Sequence, residues 1–153
     1  MAAALPLRFF FYGTLMGGHG NAGAQVVAAH MRLLGAARAP GRLVGLEEGG
    51  GWYPALLPDA GGGQVAGRLY EALPGFGAAQ LAAIDRYELC FPEDPGVSEY
   101  CRALVPVAWA GGQGEAQAYL YARALPPGAL PIAGGDFARW LADTGRRAFG
   151  AAG

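Results

Sequence analysis

Glu88 stands where a core residue is expected. Apolar side chains recur at helical spacing between Phe76 and Tyr87. At about 100° per residue, Glu88 projects near the middle of the stripe formed by Leu81 and Ile84. Asp85 falls at the margin of that stripe and Arg86 on the far side. A carboxylate on a core-facing stripe is costly unless it is paired, or unless its pKa rises and it stays neutral. A carboxyl tuned upward by apolar surroundings is suited to general acid/base chemistry near neutral pH. The other reading is a helix that stops at Arg86, which would leave Glu88 in a solvated loop before Pro92.

A second candidate is Tyr12-Gly13-Thr14-Leu15, directly after the apolar run Leu7–Phe11. A strand that stops at a glycine before a helix leaves backbone N–H groups facing open space, an arrangement suited to a carboxylate or an oxyanion. Further on, Gly18–Gly23 spells GxGxxG, the phosphate-binding pattern of dinucleotide folds. Gly23 opens a helix and Glu47 sits near the offset of a ribose-binding acid. However, Gly13–Gly17 separate the strand from this motif, and no second βαβ unit follows Pro54. The motif is therefore read as a glycine-rich turn.

The remaining reactive residue types form no set. Ser98 is the only serine and has no His near it in sequence. His19 and His30 lack metal-ligand spacing, and no Cys/His cluster exists. His19 lies at the mouth of the possible site, and His30 reads as an ordinary helix residue. Cys90 and Cys101 are read as reduced apolar fillers, with a pairing across a hairpin as the alternative. All 11 cations are Arg, so there is no Schiff-base or P-loop lysine.

The elements that must position these groups follow from period and punctuation. Leu7–Phe11 reads as a buried strand. Ala24–Leu34 reads as a helix on the spacing of Val26, Val27, His30, Leu33 and Leu34. Arg38–Leu46 and the Pro-bounded WYPALLP read as extended, the latter as an edge strand. QVAGRLYEAL alternates, Phe76–Tyr87 is helical, and RALVPVAWA and EAQAYLYA form a hairpin across Gly111–Gly114. Asp136 caps a last helix over Phe137–Phe149. The order β-α-β-β-β-α-β-β-α is a mixed α/β (α+β) arrangement, a small sheet or barrel flanked by helices, and not a doubly wound sheet.

With 153 residues the chain fits one domain, residues 1–153, with a frayed tail from about Gly150. A net charge of −1 argues against nucleic acid or a membrane surface as partner. The start has no basic n-region, and Pro6 and Arg8 interrupt its apolar stretch, so it does not read as a signal peptide. No apolar run is long enough for a membrane span, and a cytoplasmic protein is expected.

Taken in order, these segments resemble the γ-glutamylcyclotransferase-like (AIG2-like) family. The matching stretches are FFFYGTLMGGHGN, WYPALLP, VAGRLYEAL, IDRYELC, Tyr100-Cys101-Arg102 with LVPV, QAYLYA and GGDFARW. The resemblance implies a small mixed β-barrel with flanking helices. It implies that Tyr12, Gly13, Thr14 and Leu15 hold a γ-glutamyl or 5-oxoproline moiety through backbone N–H groups, and that Glu88 is the acid/base. The implied reaction closes 5-oxoproline by attack of a substrate's α-amine on its own γ-carbonyl. It needs no cofactor and no metal, and its partner is a small γ-glutamyl molecule met by a monomer or weak homodimer. Two readings stand beside it on the same fold: a non-catalytic module binding a small acid, and an enzyme acting on a biosynthetic γ-glutamyl intermediate. This sequence departs from the family pattern at Met16-Gly17-Gly18, where a basic residue is common, and at Leu89, where glycine usually follows the Glu.

Overall fold

Three consecutive phenylalanines can be accommodated only by a strand covered on both faces, since alternate side chains point to opposite sides. The computed structural model, which describes residues 7–13, 22–58, 61 and 63–149, shows such a strand. It is β1, Arg8–Phe11. Phe10 packs into the barrel interior with Leu69, Val105 and Ala118. Phe9 and Phe11 pack outward against Val27, Met31 and Ile84, under the helices α1 (Ala22–His30) and α2 (Ala78–Tyr87).

β1 is the seam of a closed barrel. It lies antiparallel to β5 (Gln64–Ala72), with Phe9 opposite Tyr70, and parallel to β7 (Gly112–Tyr121), with Phe9 opposite Gln117. β5 pairs with β2 (Met31–Pro40), β2 with β6 (Tyr100–Trp109), and β6 with β7. The ring β1-β5-β2-β6-β7 thus closes with five strands and no free edge. Outside it, β4 (Gly51–Leu57) meets β7 at Leu56–Leu120 and carries β3 (Arg42–Glu48) and β8 (Leu130–Pro131). Helix α3 (Phe137–Thr144) packs Phe137 and Trp140 onto the barrel core. The mixed barrel expected from the sequence is the fold observed.

Three boundaries differ from the sequence reading, each for a physical reason. The first helix ends at His30, and Met31–Pro40 is a strand paired along the whole of β5. Long-range pairing here overrides the helical spacing of Leu33 and Leu34. A bulge between Leu33 and Gly35 absorbs the irregularity, and Gly35 takes a φ of +134°. Arg38–Leu46 is two strands broken at Gly41, where a Cβ would meet Leu56 Cδ1 at 2.6 Å. The last helix stops at Thr144 because Gly145 adopts the left-handed conformation. Residues Arg146–Phe149 then run as a strap along β4: the Trp52 N–H donates to the Arg147 carbonyl, and the Phe149 N–H donates to that of Trp52. The Arg146 guanidinium lies 4.9 Å from the rings of both Trp52 and Trp140 and holds the strap down. Asp136 caps α3 as its sequence suggests, accepting from the Arg139 N–H.

Among the described residues, no helix is long and apolar enough to cross a membrane.

Candidate active site

The C-terminal turn of α2 carries both carboxylates singled out above. Tyr87 is the last helical residue, and Glu88 is the C-cap, its N–H donating to the Ile84 carbonyl. The chain then turns sharply. The Leu89 N–H donates to the Arg86 carbonyl and the Cys90 N–H to that of Asp85, the paired bonds of a Schellman motif. That motif requires a left-handed residue, and Leu89 supplies it with a φ of +53°. Leu89 is the only non-glycine with positive φ among the described residues. The turn then holds the next segment, because the Leu89 carbonyl accepts from the Glu99 N–H at 2.9 Å. Glu88 and Glu99 are therefore tied together through one peptide group.

Both open onto a cavity of about 180 Å³. An apolar cavity of roughly 150 Å³ admits a benzene ring, so a five-membered ring fits here. The buried part of its wall is Phe10, Phe11, Tyr12, Tyr100 and Tyr119, with Gly13 and Pro54 beside them. Burial is the main force on Glu88 and the neighbouring Glu99 carboxylate the lesser one; together they push its pKa up to about 8. Of the two environments open to it from sequence, Glu88 occupies the desolvated one, although the helix ends one residue before it.

The tyrosines around the cavity are fixed by other partners. The Tyr12 hydroxyl donates to the Tyr119 carbonyl and accepts from the Leu56 N–H, bridging β1, β7 and β4. Tyr100 donates to the Pro54 carbonyl at 2.8 Å, Tyr53 to Glu99 Oε1 at 2.9 Å, and Tyr119 to Asp85 Oδ1 at 2.6 Å. Burial keeps all four phenols protonated well above the usual tyrosine range.

The sequence-derived candidates come together in part. Tyr12 and Gly13 line the same cavity as Glu88. Thr14 and Leu15, like His19 and most of the GxGxxG motif, lie outside the described residues. Gly13 sits tightly against β4: a Cβ there would stand 2.9 Å from Pro54 Cγ. Ser98 is buried and bonds only backbone, accepting from the Phe91 N–H and donating to nearby carbonyls, so it shapes the loop before Glu99. Cys90 and Cys101 are free thiols.

Sequence reasoning missed the rest of the wall. Tyr53 and Tyr119 fall in segments read as strands and Tyr100 just before one, and only β-pairing brings the three to one place. Glu99 was not singled out from the sequence. The signal that could have raised it was its place directly before an apolar strand.

The Gamma-glutamyl cyclotransferase, AIG2-like family model matches residues 9–139, from within β1 to the first turn of α3. No curated protein matches the sequence. Among solved structures, the chain is similar to YkqA from Bacillus subtilis, with a TM-score of 0.63, 20% identity and 92% of this chain covered. The match spans 43% of YkqA's length. It is similar to the uncharacterised protein PH0828 from Pyrococcus horikoshii, with a TM-score of 0.56, 20% identity, and 91% and 96% of the two chains covered. It is also similar to an AIG2-like protein from Mus musculus, with a TM-score of 0.56, 22% identity, and 79% and 80% covered. At these identities the likeness is one of fold. With the family match spanning most of its length, this chain belongs to the γ-glutamyl cyclotransferase, AIG2-like family.

Proposed function

We propose that the protein is a γ-glutamyl cyclotransferase, releasing 5-oxoproline and a free amine from a γ-glutamyl amide, with Glu88 as general acid/base. The observation that carries this reading is a carboxyl with a pKa near 8 on the wall of a cavity that accepts a five-membered ring. The α-ammonium of a γ-glutamyl group cannot attack until it loses a proton. A base whose pKa lies near the working pH takes that proton and returns it to the departing nitrogen. The bond formed joins the α-nitrogen to the γ-carbon, and the bond broken is the original amide. The ring nitrogen gives up its second proton as the lactam forms, and the freed amine ends as an ammonium, so charge is conserved. Holding the substrate folded on itself is worth up to about 7–11 kcal/mol when the atoms are well aligned. In this reading the backbone of Tyr12 and Gly13, continuing into Thr14 and Leu15, holds the α-carboxylate or the developing oxyanion. The working compartment is the cytoplasm.

The test is incubation of the purified protein with a panel of γ-glutamyl amides and detection of 5-oxoproline. Release from at least one amide, absent in Glu88→Gln, supports the reading. Binding of 5-oxoproline with no turnover of any amide would leave a non-catalytic binding module instead.

A further inference from the structure

Glu99 belongs to a loop, yet both its backbone and its side chain are held. Ser98, directly before it, ties the loop back on itself, accepting from the Phe91 N–H and donating to nearby carbonyls. Arg123, just past the end of β7, donates to the Val97 carbonyl at 3.1 Å and to the Ser98 carbonyl at 3.3 Å. The Glu99 N–H donates to the Leu89 carbonyl, and its own carbonyl accepts from the Ala122 N–H at 2.8 Å. The Tyr53 hydroxyl, from β4, then donates to the Glu99 carboxylate. These bonds present that carboxylate on the same cavity wall as Glu88.

The other polar groups around Glu88 are neutral or engaged elsewhere. Tyr12 of β1, Tyr100 of β6 and Tyr119 of β7 stay protonated and donate to other acceptors. Asp85 is taken up by Arg102 and Tyr119, and Arg86 is on the exposed side of α2. Glu48, at the exposed end of β3, lines the mouth of the cavity with Leu89 and Phe149. Arg123 is turned to the loop backbone, and among the described residues Glu99 is in no ion pair. The charge of Arg123 offsets that of Glu99 at Tyr121, whereas the forces on Glu88 are burial first and then the Glu99 carboxylate.

Resting on the cyclotransferase reading, we infer that Glu99, fixed by Tyr53 and by the loop that Ser98 and Arg123 hold, is a positioning residue for the reaction: its carboxylate keeps on Glu88 the proton taken from the α-ammonium until the departing nitrogen receives it. Two carboxyl groups on one cavity do not ionise independently, because the second charge must be placed beside the first. Glu99 accepts from a phenol and Glu88 from no described side chain, so the proton resides on Glu88. Glu99 acts through Glu88 and touches no reacting atom. Tyr53 is the latch that keeps the two carboxyl groups facing one space.

The experiment follows the Glu88 proton in two ways. One is the pH profile of kcat/KM for a γ-glutamyl amide. The other is a carboxyl-carbon NMR titration of the ligand-free protein labelled in its Glu side chains, where the Glu88 signal is the one missing from Glu88→Gln. Glu99→Gln keeps the shape and can still accept from Tyr53. It is expected to move both midpoints down from about 8 by about half to one pH unit, a rise of about three- to tenfold in ionised Glu88 at pH 6. Tyr53→Phe frees the Glu99 side chain and should move them the same way by less. Glu99→Asp restores the charge and should recover part of the shift. Glu48→Gln should leave both midpoints in place. A role of Glu99 in the fold alone would lower kcat/KM at every pH and move neither midpoint, and that result would overturn the inference. An equal shift from Glu48→Gln would overturn it too. If no amide is cyclised, the cyclotransferase reading fails by itself, and the carboxyl titration still decides whether Glu99 sets the Glu88 proton.

Discussion

Asp85 and Glu88 stand one helical turn apart and face the same barrel, yet they are treated in opposite ways. Asp85 is buried and fully answered. It accepts from the Tyr119 hydroxyl and from Arg102 Nε at 2.9 Å, and Arg102 Nη1 reaches on to Gln117 Oε1 at 3.1 Å. Among the described residues, no side chain hydrogen-bonds the Glu88 carboxyl. Its neighbours are aromatic walls and another carboxylate. A buried carboxylate with an arginine and a phenol is a structural joint, here pinning α2 to β6 and β7. A partly buried carboxyl on an apolar cavity wall, without such partners, holds its proton more tightly and remains chemically available. The more deeply buried of the two acids is the paired one, so depth of burial does not mark a reactive acid. The inventory of its partners does.

The comparison can be broken at either residue. The largest expected effect is on turnover: Glu88→Gln should lower 5-oxoproline release by about 10²–10⁴-fold, with the circular-dichroism spectrum of the wild type. In the proposed reaction the Glu88 carboxyl must be ionised to accept the α-ammonium proton. kcat/KM should therefore rise as pH climbs through about 8. A profile flat from pH 6 to 9 would remove Glu88 from the proton path.

Next comes Asp85→Ala, expected to act on stability. Removing one partner of a buried pair costs about 3–5 kcal/mol, and the low end is expected because Arg102 is partly exposed. Urea unfolding measures it, and the double variant Asp85→Ala with Arg102→Met should recover part of the loss.

A third test uses pH and stability together. The carboxyl of Glu88 titrates at about 8 when folded, against an ordinary value of 4.5. Between those values the folded protein binds more protons than the unfolded chain, so this group's contribution to stability falls as pH rises. Glu88→Gln lacks that penalty. Its stability relative to wild type should climb from about pH 4.5, reach at most a few kcal/mol near pH 8 and then level off. A difference independent of pH would mean that Glu88 is solvated.

The smallest effect is at Leu89. A left-handed L-residue costs about 1–2 kcal/mol, and glycine returns about 0.4–1 kcal/mol of that through the freedom of its unfolded chain. Leu89→Gly should therefore be neutral to about 1 kcal/mol more stable, and Leu89→Val less stable than wild type, both read from denaturant midpoints.

Much of the barrel was legible because its strands obey simple rules. The phenylalanine run announced a strand buried on both faces, and the glycines around 111–114 announced the β6–β7 hairpin, although the turn itself is only Ala110-Gly111. Glu88 was legible as an anomaly, a carboxylate on the wrong face. The helix reading of Leu33 and Leu34 failed because a ladder to β5 is formed with residues far along the chain, which no local window contains. The pairing of Asp85, placed at the margin of the stripe, was not legible for a related reason. Its partners Arg102 and Tyr119 lie on strands that the sequence could not place beside α2. Leu89 looked like a departure from a glycine position. In the structure it keeps the glycine's conformation with a side chain attached.

β1 is held between strands that lie far from it in sequence, with Phe9 opposite both Tyr70 and Gln117. It carries Tyr12 and Gly13 at its end, so the floor of the cavity exists only when the ring is closed. Folding of this domain is accordingly governed by contacts of high sequence separation, which form slowly. A molecule bound in the cavity stabilises the closed ring as a whole. Hydrogen exchange should then slow throughout the five strands when ligand is added, and not only around the mouth.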